Sequence, residues 1–114
     1  MVRKAEELVK PGEKSIAVFT RGDQLSFDHL GDGKTGNWKV NPKRLEGCDK
    51  VIIYNRRGSA DDNRVFIGDY MGIEPSSEPD RFIIFFSKLV DAGRSTSNWL
   101  QFGGGSGGAF FYIR

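Results

Sequence analysis

Residues 50–55 read Lys-Val-Ile-Ile-Tyr-Asn and residues 81–89 read Arg-Phe-Ile-Ile-Phe-Phe-Ser-Lys-Leu, and these two stretches decide the fold. Both are short, bounded by polar residues, and rich in the β-branched and aromatic side chains that suit a pleated strand. Successive side chains of a strand point to opposite faces, so Val51-Ile52-Ile53 and Phe82 to Phe86 are apolar on both faces. Strands buried on both faces belong to a sheet that curls around its own core instead of lying open to water. Working outward, Ser15 to Thr20 (SIAVFT), Arg64 to Glu74 (RVFIGDYMGIE) and Ala109 to Ile113 (AFFYI) read as further strands. Gly68 and Gly72 mark a bend or bulge in the second of these.

The connections are mostly short. Arg56 to Asn63 is a polar hairpin loop and Pro75 to Asp80 a proline-flanked turn. Parallel crossovers need about a dozen residues and usually a helix, so the strands are expected to be mainly antiparallel. Arg21 to Gly36, rich in glycine and aspartate, reads as a loop crossing the surface. Arg3 to Lys10 can form a short helix, stopped by Pro11-Gly12. Asn41 is placed to cap one helical turn over Pro42 to Glu46, ended by Gly47. The expected fold is mainly β (α+β): a small mixed or antiparallel pseudobarrel of about five or six strands with one or two short helices.

A chain of 114 residues has room for one core, so residues 1–114 are expected to form a single domain. No apolar run approaches the ~18 residues of a membrane span, and the charged start MVRKAEELVK lacks the apolar stretch of a signal peptide. The expectation is a cytoplasmic protein with no membrane partner. One cysteine and one histidine exclude a disulfide scaffold and a Cys/His zinc module.

No catalytic constellation emerges, and neither enzyme activity, cofactor nor metal is expected. Gly33-Lys34-Thr35 resembles the end of a phosphate loop, but Asp28 stands where the pattern wants glycine and Gly36 follows where a helix should begin. His29 lies in a loop between Asp28 and Asp32, and reads as solvent-exposed before it reads as a general base. Cys48 has no base placed beside it, and Asp61-Asp62 sit where acids normally serve a turn. Arg21-Gly22-Asp23 is an adhesion-like tripeptide with nothing beside it to support an extracellular reading.

The net charge of +2 is too small to announce a nucleic-acid partner, but its distribution is uneven. Between residues 34 and 57 stand seven basic residues against two acidic ones, the asymmetry of an electrostatic footprint or of a solvated charged loop. Aromatic residues accompany the charge: Trp38 lies between Lys34 and Lys39, Tyr54 precedes Asn55, Arg56 and Arg57, and Asn98-Trp99 precedes Phe102 and a glycine run. Cations hold phosphates while exposed rings stack on unpaired bases, and the same rings can equally be core anchors. The run Gly103 to Gly108 is a close-approach backbone lining a ligand or a bare flexible loop.

In their order, these motifs resemble the PUA-like superfamily, in particular EVE-like and related modified-base-reading domains. The pieces that carry the resemblance are Thr20-Arg21-Gly22 after the first strand and Asn37-Trp38-Lys39-Val40-Asn41-Pro42 with Arg44. Val65-Phe66-Ile67-Gly68-Asp69-Tyr70 and Asn98-Trp99-Leu100-Gln101-Phe102-Gly103-Gly104 follow, so that the likeness spans most of residues 15–114. The resemblance implies a pseudobarrel with a pocket for a nucleobase, often modified, flipped from DNA or present in RNA. On that reading Arg21, Trp38, Asn41, Tyr54 and Trp99 rim the pocket, with Asn41 bonding a base edge and the rings stacking. Arg44, Arg56 and Arg57 hold phosphates, and Thr20, Phe102 and Gly104 complete the site. The alternative is a protein-interaction module, such as a phage or defence-system component, docking a partner through the same aromatic and glycine-rich face.

Overall fold

The computed structural model describes residues 2–21, 25–56, 63–96, 98–104 and 109–113. Its strands are β1 (Ser15–Thr20), β2 (Leu25–Phe27), β3 (Gly33–Trp38), β4 (Lys50–Arg56), β5 (Asn63–Pro75), β6 (Phe82–Arg94) and β7 (Phe110–Ile113). They form one seven-stranded sheet in the order β2-β3-β6-β5-β4-β1-β7, so the protein is mainly β. Among the described residues, helical structure is confined to 3₁₀ turns at Ala5–Leu8 and Pro42–Leu45 and a π-type turn at Leu100–Gly104.

One expectation needs correcting. The sheet has seven strands, because the presumed surface loop between Arg21 and Gly36 contains β2 and the start of β3, an antiparallel hairpin registered Leu25↔Thr35 and Phe27↔Gly33. Glycine-rich residues of low strand propensity are held there by pairing with β6, where Gly33 faces Phe86 and Thr35 faces Ile84. Gly33 is where it is for close approach: the Ser26 carbonyl and the Phe27 backbone fill the space a side chain would take. The phosphate-loop look-alike is thus a packed strand start. Of the two forms expected the sheet takes the mixed one, since β1 and β4 run parallel in the register Ser15↔Lys50 to Thr20↔Asn55. Their crossover carries β2, β3 and a capped turn in place of the usual helix.

The other pairings are antiparallel. The long β5–β6 arms slip register between Ile67 and Asp69 and between Tyr70 and Gly72, the bulges expected at Gly68 and Gly72, and again between Val65 and Phe66. Bulges bend strands and let a sheet turn a corner. The result is a curled sheet: Ile16 and Val18 of β1, Val51 and Ile53 of β4, Ile84 and Phe86 of β6 and Trp38 of β3 form one buried cluster on its inner face. Phe110 and Tyr112 of β7, from the far end of the strand order, pack against the same cluster. The outline of 33 × 32 × 31 Å fits a rolled sheet better than a flat one. No ladder joins β2 to β7 among the described residues, so the roll has a seam.

The alternate residues of the same strands form a second cluster on the outer face, with Ala17, Ile52, Tyr54, Val65 and Ile113 at its centre. Val2 and Ala5 of the N-terminal segment and Phe102 of the C-terminal turn cover it. The expected helix over Arg3 to Lys10 is a single 3₁₀ turn, Ala5–Leu8, whose Ala5 is fully buried. Backbone bonds from Val2 N to Arg94 O and from Thr96 N to Val2 O tie this segment to the end of β6.

Candidate functional site

Three rings, Trp38, Tyr54 and Trp99, are expected from the sequence at one cleft, and the sheet divides them. Trp38 is 3% exposed on the inner face, and its indole Nε1 donates to Thr35 Oγ1 at 3.2 Å. It is a core anchor. Tyr54, 1% exposed, lies on the outer face because it alternates with Ile53, and Trp99 and Phe102 meet it there. Ring centroids are 5.7 Å apart for Tyr54–Trp99, 5.0 Å for Tyr54–Phe102, 5.2 Å for Phe19–Trp99 and 5.2 Å for Trp99–Phe111. These rings do converge, but as packing that pins residues 98–104 to β1, β4 and β7. Burial pushes the Tyr54 phenol above its ordinary pKa, with partial compensation from hydrogen bonds to Ser95 and Asn63. Gly103, with φ of 137°, opens the glycine run beneath the Phe111 ring, which would stand 2.7 Å from any Cβ there. Gly104 ends the same turn, and residues 105–108 lie outside the described residues.

Asn41 and Arg44 form a joint elsewhere. The Asn41 side chain accepts from Lys43 N at 3.0 Å, the cap expected of it, and Asn41 N donates to the Tyr112 hydroxyl at 2.8 Å. The Arg44 guanidinium lies 4.0 Å over the Tyr112 ring. Capping engages the Asn41 oxygen and the cation-π contact engages Arg44, so this pair fastens the Pro42–Leu45 turn to β7.

Where β1 and β4 end, the inner face turns polar. Thr20 and Asn55 are register partners, 1% and 4% exposed, and both continue the inward rows of Val18 and Ile53. The Asn55 Oδ1 is buried with no hydrogen-bond partner. A buried carbonyl left in that condition costs about 1–3 kcal/mol, so such a group marks strain or a place where a donor belongs. Across the β4–β5 pair Asn55 faces Arg64, whose guanidinium is 3.7 Å from Asp91, both side chains being a little under half exposed. Arg21, exposed, follows Thr20, and Arg56, half-buried, follows Asn55. One row further in, Phe66 packs against the inner cluster and its ring lies 5.8 Å from that of Phe27, which is 47% exposed. Arg57 and Asp61-Asp62 lie outside the described residues.

Of the residues expected at the site, Thr20, Arg21 and Arg56 thus gather at this end, joined by Asn55, Arg64, Phe27 and Phe66. Asn55 carries a signal in the sequence: it is the polar residue at the inward position of a strand whose other inward positions are Val51 and Ile53. Phe27 carries none, because its strand was not visible.

The arrangement offers an amide, cations and an aromatic edge. No group of three metal-ligating side chains occurs among the described residues. His29 is exposed in a turn that Asp28 organises, its Oδ1 accepting from Leu30 N at 2.9 Å and Asp32 N at 3.1 Å. These backbone N–H groups hold the Asp28 carboxyl below its ordinary pKa. The Cys48 thiol donates to the Lys14 and Lys50 carbonyls, and burial pushes its pKa up to about 11, the reverse of an activated nucleophile. No helix is long and apolar enough to cross a membrane among the described residues. Compared with known proteins, the chain matches no protein-family profile, no curated protein and no solved structure.

Proposed function

We propose that the protein is a nucleic-acid-binding module that receives an unstacked base, flipped or modified, in DNA or RNA, at the Thr20–Asn55 end of the rolled sheet. The observation that carries this reading is the buried Asn55 Oδ1 without a donor, at the end of an apolar face and among cations. An amide oxygen accepts from an amino or imino group on a base edge, and a bond made only in the complex offsets a cost already present in the free protein. Arg64, register partner of Asn55, and Arg21, next to Thr20, are the phosphate contacts of this end, with Arg56 on the Tyr54 side of β4 beside it, and the Phe27 ring is exposed for stacking. Base stacking at roughly 1–3 kcal/mol is of the size needed to offset unstacking from a neighbour. This assigns base reading to Asn55 and Phe27 in place of Asn41, Trp38 and Trp99, whose groups are engaged in the fold.

The test is Asn55→Val, which removes the unpartnered amide oxygen and keeps a branched side chain suited to a strand. Affinity for single-stranded DNA and RNA oligonucleotides, measured by fluorescence anisotropy, is expected to fall about tenfold. Stability in a urea titration is expected to rise by about 1 kcal/mol, because the variant no longer buries the unpartnered oxygen of residue 55. Unchanged affinity for both nucleic acids, with the gain in stability, would leave Asn55 as plain strain and remove the proposal. Binding in the wild type is also expected to weaken steeply with salt through counterion release.

A further inference from the structure

Among the described residues, nothing packs over the outer face of β3 and of the ends of β5 and β6 nearest their connecting turn, whereas Val65, Ile67 and Ala92 at the other ends share the cover of β1, β4 and β7. Lys34 faces Ser26 on one side and Phe85 on the other, so all three share this surface. Together with Asp32, Met71 and Ser87 they line an open hollow of about 440 Å³. Met71 is 62% exposed at its side, a large apolar group in water. Asp32 and Lys34 flank Gly33, and neither enters an ion pair among the described residues. Beyond them lies β2, the outermost strand of the sheet.

We infer that this bare face docks a second copy of the same chain about a two-fold axis. The charges choose the occupant. A polyanion would meet Asp32 on the same rim as Lys34. In a two-fold contact every pair occurs twice with the roles exchanged, so a surface carrying one unpaired anion and one unpaired cation beside an apolar centre is complementary to itself. Lys34 of each copy then meets Asp32 of the other, and Met71 of each enters the hollow floored by Phe85 of the other. The surface is separate from the Thr20–Asn55 end, which opens on the inner face, so either proposal can fail without the other.

Charge reversal with mixing tests it. Sedimentation velocity across the micromolar range is expected to show a monomer–dimer equilibrium for the wild type. Lys34→Glu and Asp32→Lys are each expected to weaken dimerisation about tenfold, because each turns both symmetric attractions into repulsions. Mixed in equal amounts, the two variants are expected to recover wild-type association, since every rim pair in the mixed dimer is again of opposite sign. Met71→Lys is expected to leave a folded monomer. Asp32 also accepts from Lys88 N at 3.3 Å, so circular dichroism must show that its variant folds. If it does not, Lys34→Glu and Met71→Lys, which disturb no internal bond, decide the matter. A wild type that stays monomeric, or variants with unchanged association, overturn the inference. So does a mixture of folded variants that associates no better than its components.

Discussion

The two halves of the outer face are built from the same sheet and differ in what lies on them. Over β1, β4 and β7, residues 2–9 and 98–104 bring Val2, Ala5, Leu8, Trp99 and Phe102 against Ala17, Ile52, Tyr54 and Ile113. Over β3 and the turn-side ends of β5 and β6, Lys34, Met71 and Phe85 stand with nothing above them among the described residues. The border is an ion pair: Lys50 Nζ lies 2.6 Å from Asp69 Oδ1, in the β4–β5 row that follows Tyr54/Val65 and Ile52/Ile67. Alternation along a strand assigns a residue to a face, but only the path of the rest of the chain decides whether that face is dry.

The largest expected contrast between the halves is in stability. Phe102→Ala empties a fully buried site and is expected to cost about 3–5 kcal/mol in chemical denaturation, whereas Phe85→Ala, half-buried in the bare half, is expected to cost less than about 1.5 kcal/mol. Equal losses would mean that the two halves are equally well covered. A smaller loss, roughly 1–3 kcal/mol, is expected of Gly103→Ala, since a side chain there meets both a positive φ and the Phe111 ring. A negligible loss would detach the 98–104 cover from the covered half.

The smallest effect belongs to the border. The hydrogen bond from Lys50 holds the Asp69 carboxyl below the ordinary carboxylate range, against a lesser opposing effect of burial. A carboxyl with a depressed folded-state pKa adds stability above its unfolded value and loses it as pH falls through the folded one. The pair is 30% and 38% exposed, so solvent limits its worth to less than about 1 kcal/mol. Comparing wild type with Asp69→Asn in denaturant melts from pH 7 to pH 2 should show the difference vanish at the acid end. A difference that persists there would assign the border's contribution to packing.

Much of the fold was legible because its central strands carry their own signal. SIAVFT is β1 residue for residue, and KVIIYN is β4 short of its last residue. The Asn41 cap was equally local, needing only an acceptor before Pro42. β2 and β3 were not legible, since Leu25-Ser26-Phe27 and the glycines of β3 acquire strand geometry from β6, far along the chain. A mixed sheet was among the forms expected, but the parallel β1–β4 pair itself was not located, because the crossover between the two strands carries a hairpin instead of the usual helix. The site suffered from the same limit. Trp38 and Tyr54 are both aromatic residues at strand ends beside cations, yet one packs with the inner cluster and the other with the outer. That separation depends on how the strands pair, which spacing alone does not reveal. Thr20, Arg21 and Arg56 could be found because each adjoins a strand end that could itself be found.

The position of β7 has a consequence for the newly made chain. β1 is completed early, but its antiparallel neighbour and the ring of Phe102 above Tyr54 come from residues 98–113. Until those emerge from the ribosome, β1 keeps a raw margin and the apolar rows of β1 and β4 stay wet. Translation therefore delivers the roll with one flank unsealed for most of its synthesis, the interval in which a sticky strand margin is most exposed to the wrong neighbour.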